Sequence, residues 1–160
     1  MSELLKQQRD YAWSYFALHA NQRMGSFNFF VVIAALLTTG LVGTLKSDFQ
    51  QHVIGVPLGV GLSVIAFVFW KMDQRVQYLI KHAETALKAI EANWPADSGA
   101  PSVSLFRLEE EKTDSARKAN PWPWQWHLSY ANCFGAVYLI FGLLGLGGAL
   151  AAIAASLSCP

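Results

Sequence analysis

Three stretches of this chain carry no charged side chain for about 20 residues or more, the length an α-helix needs at about 1.5 Å per residue to cross a hydrocarbon layer roughly 30 Å thick. They occupy residues 26–45, 53–70 and about 128–157. No water is present at that depth to satisfy backbone N–H and C=O groups, so each stretch must bond within itself, as a helix does. Composition agrees: 53% hydrophobic and 14% charged residues over 160 is too apolar for a soluble domain of this size. The fold class that follows is an all-α integral membrane protein with three transmembrane helices.

Charge fixes the expected orientation. Lys6, Arg9 and Arg23 precede the first span, and Lys71, Arg75, Lys81, Lys88, Arg107, Lys112, Arg117 and Lys118 fall between the second and third. Only Lys46 lies in the short first loop, so eleven of the 12 Lys and Arg residues gather on one side. The positive-inside rule makes that side cytoplasmic, with the N-terminus inside and the C-terminus outside. A net charge of +1 offers no basic excess for a nucleic-acid partner. Before the first span stands a long polar and aromatic segment where a cleaved signal would have a short basic region, so the first span is expected to stay as an anchor. Cys133 and Cys159 are separated by roughly 39 Å of helix and cannot pair within one chain. Cys159 could cross-link copies on the outer side, and an inert terminal thiol is the plainer expectation.

Residues 1–25 read as a cytoplasmic amphipathic helix in which Leu4, Tyr11, Tyr15 and Leu18 share a face. Its aromatics suit the headgroup region or a helical partner. Gly25 is its one weak point before the first span (26–45), and a single glycine is not a break. The outer loop is expected at 46–52 and the second span at 53–70, with Pro57 in or near its first turn, where a missing N–H is tolerated. Beyond Trp70, apolar residues continue at helical spacing through Met72, Val76, Leu79, Ala83, Ala86 and Ile90. This predicts a cytoplasmic extension of the second helix over 71–93 that packs on residues 2–22 or on copies of itself. Residues 94–127 carry Pro95, Gly99 and Pro101 and read as a loop with a short helix. Trp122, Trp124 and Trp126 face Trp70 as an interfacial aromatic belt.

The third span, 128–157, is rich in small residues. Gly145 with Ala149, and Gly148 with Ala152, form small-xxx-small faces, as do Gly55 and Gly59 on the second span. These six are the expected packing residues of a homo-oligomer, with packing inside a single chain as the alternative. Uncharged polar residues in the spans are few. Asn28, Thr38, Thr39 and Asn132 are the candidates for interhelical hydrogen bonds or, around a central axis, for a pore lining. No ionisable group falls mid-span, which disfavours a proton-coupled transporter.

For catalysis, the one pattern is Arg75 and His82, seven apart and so on one helical face. An imidazole to move the proton of a ribose 2′-hydroxyl and a guanidinium to hold phosphate would suit RNA cleavage. The plainer reading is a solvated face on which Lys71, Asp73 and Lys81 pair locally. The four histidines are dispersed, with no metal-ligand spacing, and no phosphate loop or nucleophile motif occurs. The sequence therefore predicts no enzyme, no metal and no cofactor.

The segment 26–30, Ser-Phe-Asn-Phe-Phe, and the segment 67–84, from Phe67-Val-Phe-Trp-Lys-Met-Asp-Gln-Arg75 to His82-Ala-Glu84, resemble the RipA-type small bacterial membrane proteins. Those are similar in turn to the membrane accessory protein of type VI CRISPR systems. The resemblance implies an octameric ring in the bacterial inner membrane, with helices extended into the cytoplasm around an axis and a role in antiviral defence. In the accessory protein an HEPN-like Arg and His pair lies nearer the C-terminus than Arg75 and His82 do here. Taken together, the expected protein is a homo-oligomeric pore or membrane-perturbing assembly whose partners are itself, the bilayer and a cytoplasmic protein. A non-enzymatic scaffold and a membrane-tethered ribonuclease are the alternatives.

Overall fold

In the computed structural model the described residues are 3–45, 49–92 and 130–158, with Leu108, Glu111, Lys112 and Ser115. They form three long helices, α1 (Glu3–Leu45), α2 (Phe49–Ala92) and α3 (Tyr130–Ser158). Each is long and apolar enough to cross a membrane. Apart from Leu108, Glu111, Lys112 and Ser115, which are helical, the expected loop and short helix at 94–127, with Trp122, Trp124, Trp126 and the terminal Cys159, lie outside the described residues.

α1 runs unbroken through Gly25, whose Cα faces open space, so the cost of glycine there is conformational only. α2 starts earlier than the apolar pattern suggests. Helix takes up residues 49–52, assigned above to the outer loop, and this places Pro57 more than two turns inside rather than in the first turn. Proline there leaves the carbonyl of Val53 without its helical donor, and membrane helices accommodate such a loss by local adjustment.

The chain divides into two compact units, one built from Met1–Gln22 with Val76–Ser129, the other from Arg23–Arg75 with Tyr130–Pro160. In the first unit the buried residues are Ala12 on α1 and Ala83 and Leu87 on α2. The seam on α2 follows Val76, Ile80, Ala83 and Leu87, whereas Met72 and Ala86, expected in the stripe, are exposed. On α1 the expected apolar face is largely uncovered within this chain. Leu4, Tyr11 and Leu18 are exposed and Tyr15 is half-buried, edge-on to His19 at 4.3 Å.

The second unit is an up-down-up bundle of the three spans. At one level Arg23, Asp73 and Phe134 meet, and at the other end Thr44, Gly55 and Ala152 do. Near the first level the core is aromatic. Phe30 is fully buried, 4.7 Å from Tyr138, 5.5 Å from Phe69 and 5.8 Å from Phe141 by ring centroids. Ala34, Leu62 and Ala66 complete it. Towards the other end, glycine takes over and backbones touch. A Cβ on Gly59 would sit 2.5 Å from the Gly145 carbonyl oxygen and 2.7 Å from the Ala149 nitrogen, and one on Gly145 would sit 2.6 Å from the Gly59 oxygen. Gly148 is closed off in the same way by Leu41, and Gly55 by Thr44 and Ala152. All six small residues assigned above to oligomer packing thus lie against other helices of the same chain.

The outside of this unit is as apolar as its core. Val32, Leu36, Val64, Leu139, Leu143 and Leu150 are all exposed, and 22% of each span is buried. A surface of this kind suits a lipid environment.

Replacing Gly59 with alanine forces backbone apart, so it is expected to destabilise the bundle by about 2 kcal/mol, within the usual range for overpacking. Gly147→Ala, whose Cβ meets nothing within 4 Å, is expected to stabilise slightly, by up to about 1 kcal/mol. Unfolding midpoints in mild detergent give the comparison.

Candidate functional site

The polar centre of the bundle is an ion pair. Arg23 stands one turn before the first apolar stretch and Asp73 one turn after the second, which places them at one level of antiparallel neighbours. Arg23 Nε donates to Asp73 Oδ1 at 2.6 Å and Nη2 donates to Oδ2 at 3.2 Å, a two-pronged contact. Their side chains are 13% and 3% exposed. From the third helix, the ring of Phe134 lies 4.8 Å from the guanidinium carbon and stacks on Phe27 at 3.9 Å, with an interplanar angle of 5°. A single cation is thus held by a carboxylate on α2 and an aromatic face on α3. Desolvated cation–π contacts contribute up to about 2 kcal/mol.

This geometry replaces the expectation that Asp73 pairs locally with Lys71 and Lys81. The carboxylate turns inward because position 73 falls four and seven residues after Phe69 and Ala66, both on the face that packs into the bundle core. Arg23 likewise falls four and seven residues before Phe27 and Phe30, on the face that α1 buries. The signal was present in the sequence as two opposite charges, each on the buried face of its helix.

A second polar contact joins α2 to α3. Ser63 Oγ lies 2.9 Å from the carbonyl oxygen of Gly142 and 3.1 Å from that of Gly59, so its one proton serves an interhelical and an intrahelical acceptor. Of the four polar residues singled out above, Asn28 and Asn132 are exposed and form no hydrogen bond with another described residue. Thr39, also exposed, donates back to the Ala35 carbonyl at 2.9 Å. Thr38 has a buried Oγ1 with no partner among the described residues.

Arg75 and His82 are both exposed. The His82 ring packs 4.2 Å from that of Tyr78, and its Nδ1 donates to the Tyr78 carbonyl at 2.9 Å. No contact joins it to Arg75. Trp70, at the end of the second apolar stretch, is partly exposed, with Lys71 Nζ 4.9 Å from its ring centroid.

Comparison with known proteins finds a curated relative along nearly the whole chain. CD-NTase-associated protein 19 of Escherichia coli is 33% identical over 146 residues, an alignment that covers 91% of this chain and 91% of the relative. That name differs from the RipA-type and type VI accessory proteins to which residues 26–30 and 67–84 bear resemblance. No protein-family model matches, and neither does any solved structure.

Removing one partner of a buried ion pair strands the other charge, at a typical cost of 3–5 kcal/mol, while removing both with apolar replacements costs much less. Arg23→Met and Asp73→Leu are each expected to destabilise the bundle by about 3 kcal/mol, and the double variant by less than either. Thermal melts of the four proteins in one detergent close this cycle.

Proposed function

This chain belongs to the family of CD-NTase-associated protein 19, and from that membership we propose that it is a membrane effector of antiviral defence. It acts as a homo-oligomer in the bacterial inner membrane and forms or gates a pore within a CD-NTase-dependent system. The observation that carries this reading is the end-to-end likeness to a CD-NTase-associated protein in a chain with three helices long and apolar enough to cross a membrane. The basic residues between the second and third spans favour an orientation with the Arg23–Asp73 level at the cytoplasmic side.

Support for assembly comes from the face of α1 opposite its core. Phe30, Ala34 and Leu41 point inward, while Gly25, Asn28, Ala35, Thr39 and Gly43 recur at helical spacing on the far side, all exposed. A Cβ on Gly25 or Gly43 would meet nothing within 4 Å. Small residues let a second helix approach closely, and an amide such as Asn28 is poorly served by lipid alone. A neighbouring copy against this face, or the water of a central channel, would serve both.

Native mass spectrometry of the protein in nanodiscs tests the reading. A single mass of several copies is expected, shifted to fewer copies by Gly25→Leu with Gly43→Leu, together with solute efflux from liposomes. A monomeric wild type would remove the pore. A ring without efflux would instead favour a scaffold that positions other proteins at the membrane.

A further inference from the structure

Residues 71–75 read Lys-Met-Asp-Gln-Arg, and the fold sorts their charges to opposite sides of α2. Asp73 is consumed inside by Arg23. Lys71 and Arg75 stay on the outer surface, four apart and therefore neighbours on one face. Asp73 is also the one acidic residue between Asp48 and Glu84, so no other carboxylate of α2 lies near these two cations in sequence. Arg75 has no partner among the described residues. Lys71 Nζ donates to Gln74 Oε1 at 3.2 Å and lies 4.9 Å from the Trp70 ring centroid and 5.9 Å from that of Phe67. On the span side of the two cations, Val64, Phe67 and Val68 are exposed.

We propose that this face of α2 binds the headgroup of an anionic phospholipid. Lys71 and Arg75 donate charge-assisted hydrogen bonds to the phosphate oxygens, and Trp70 packs at the level of the glycerol. Phe67, Val64 and Val68 meet the acyl chain below it. The order along the helix, with apolar side chains, then an indole, then two cations a turn apart, matches that of a phospholipid read from its tail to its phosphate. A soluble phosphate would leave the apolar part of the face unused. The proposal rests on reading α2 as a membrane span and is independent of copy number.

Two cations near a bilayer surface give a preference of roughly tenfold or more for anionic lipid. The test is native mass spectrometry of the full-length protein with equimolar phosphatidylglycerol and phosphatidylcholine, each variant being checked for helicity. Wild type is expected to retain phosphatidylglycerol about tenfold over phosphatidylcholine, within the effect of two such charges. Lys71→Gln with Arg75→Gln should bring the two lipids to parity. Lys71→Arg with Arg75→Lys should keep the preference, as should the charge-matched control Lys6→Gln with Lys112→Gln. Equal retention by wild type would overturn the site, and so would loss of preference in the control or displacement of the lipid by inorganic phosphate. Should the double glutamine variant not fold, brominated phosphatidylglycerol must quench wild-type fluorescence more than brominated phosphatidylcholine does. That difference must shrink in Trp70→Phe, and its persistence there would sink the proposal. Release of the protein from membranes by alkaline carbonate would speak against the spanning reading itself, separately from lipid choice.

Discussion

Adhesion between helices in a bilayer gains nothing from the exclusion of water, because lipid tails are as apolar as the side chains that displace them. The three spans must therefore hold together by close contact and by polar groups that lipid cannot satisfy. Both devices are present, at different levels of the bundle. Around Gly59 and Gly145 the α2 and α3 backbones touch, and Ser63 adds a hydrogen bond to the Gly142 carbonyl. At the opposite end, rings of Phe27, Phe30, Phe134 and Tyr138 pack together, and the Arg23–Asp73 pair joins α1 to α2.

The ion pair and the glycine contact do different work. Glycine contacts reward proximity, and a helix shifted by one turn can often find another small residue. A guanidinium with its carboxylate tolerates no such shift, since displacement by about 5.4 Å strands two charges in a medium that penalises each by several kcal/mol. Register of α1 against α2 is therefore set at the Arg23 level, and close packing then fixes the angle at which α3 lies on both. Phe134 links the two devices by covering the cation from the third helix.

Much of the architecture was legible from sequence. The three long apolar helices followed from the absence of charge, because transfer of an ionised side chain into hydrocarbon outweighs most local preferences. Continuity of α1 through Gly25 followed from the small cost of one glycine. The helical start of α2 at Phe49 lies before the apolar run that opens at Val53, because an apolar pattern marks where a span begins and not where helical hydrogen bonding begins. Of the expected stripe on α2, Val76, Leu79, Ala83 and Ile90 are buried or partly buried, whereas Met72 and Ala86 are exposed, because an apolar period alone does not choose between adjacent faces. The central pair was missed because Arg23 and Asp73 are 50 residues apart and their charges were assigned by loop rather than by helix face.

Because Arg23 and Asp73 belong to the first two helices, the pair also bears on how the chain is made. α1 and α2 follow each other closely, whereas α3 begins at Tyr130, after a long polar interval. During synthesis the N-terminal hairpin emerges first and can neutralise its own charges before the third helix exists. Phe27 then waits with an open ring face, and insertion of α3 supplies the Phe134 ring that covers both it and the guanidinium. Chain order thus puts the charged hairpin ahead of the aromatic helix that covers it.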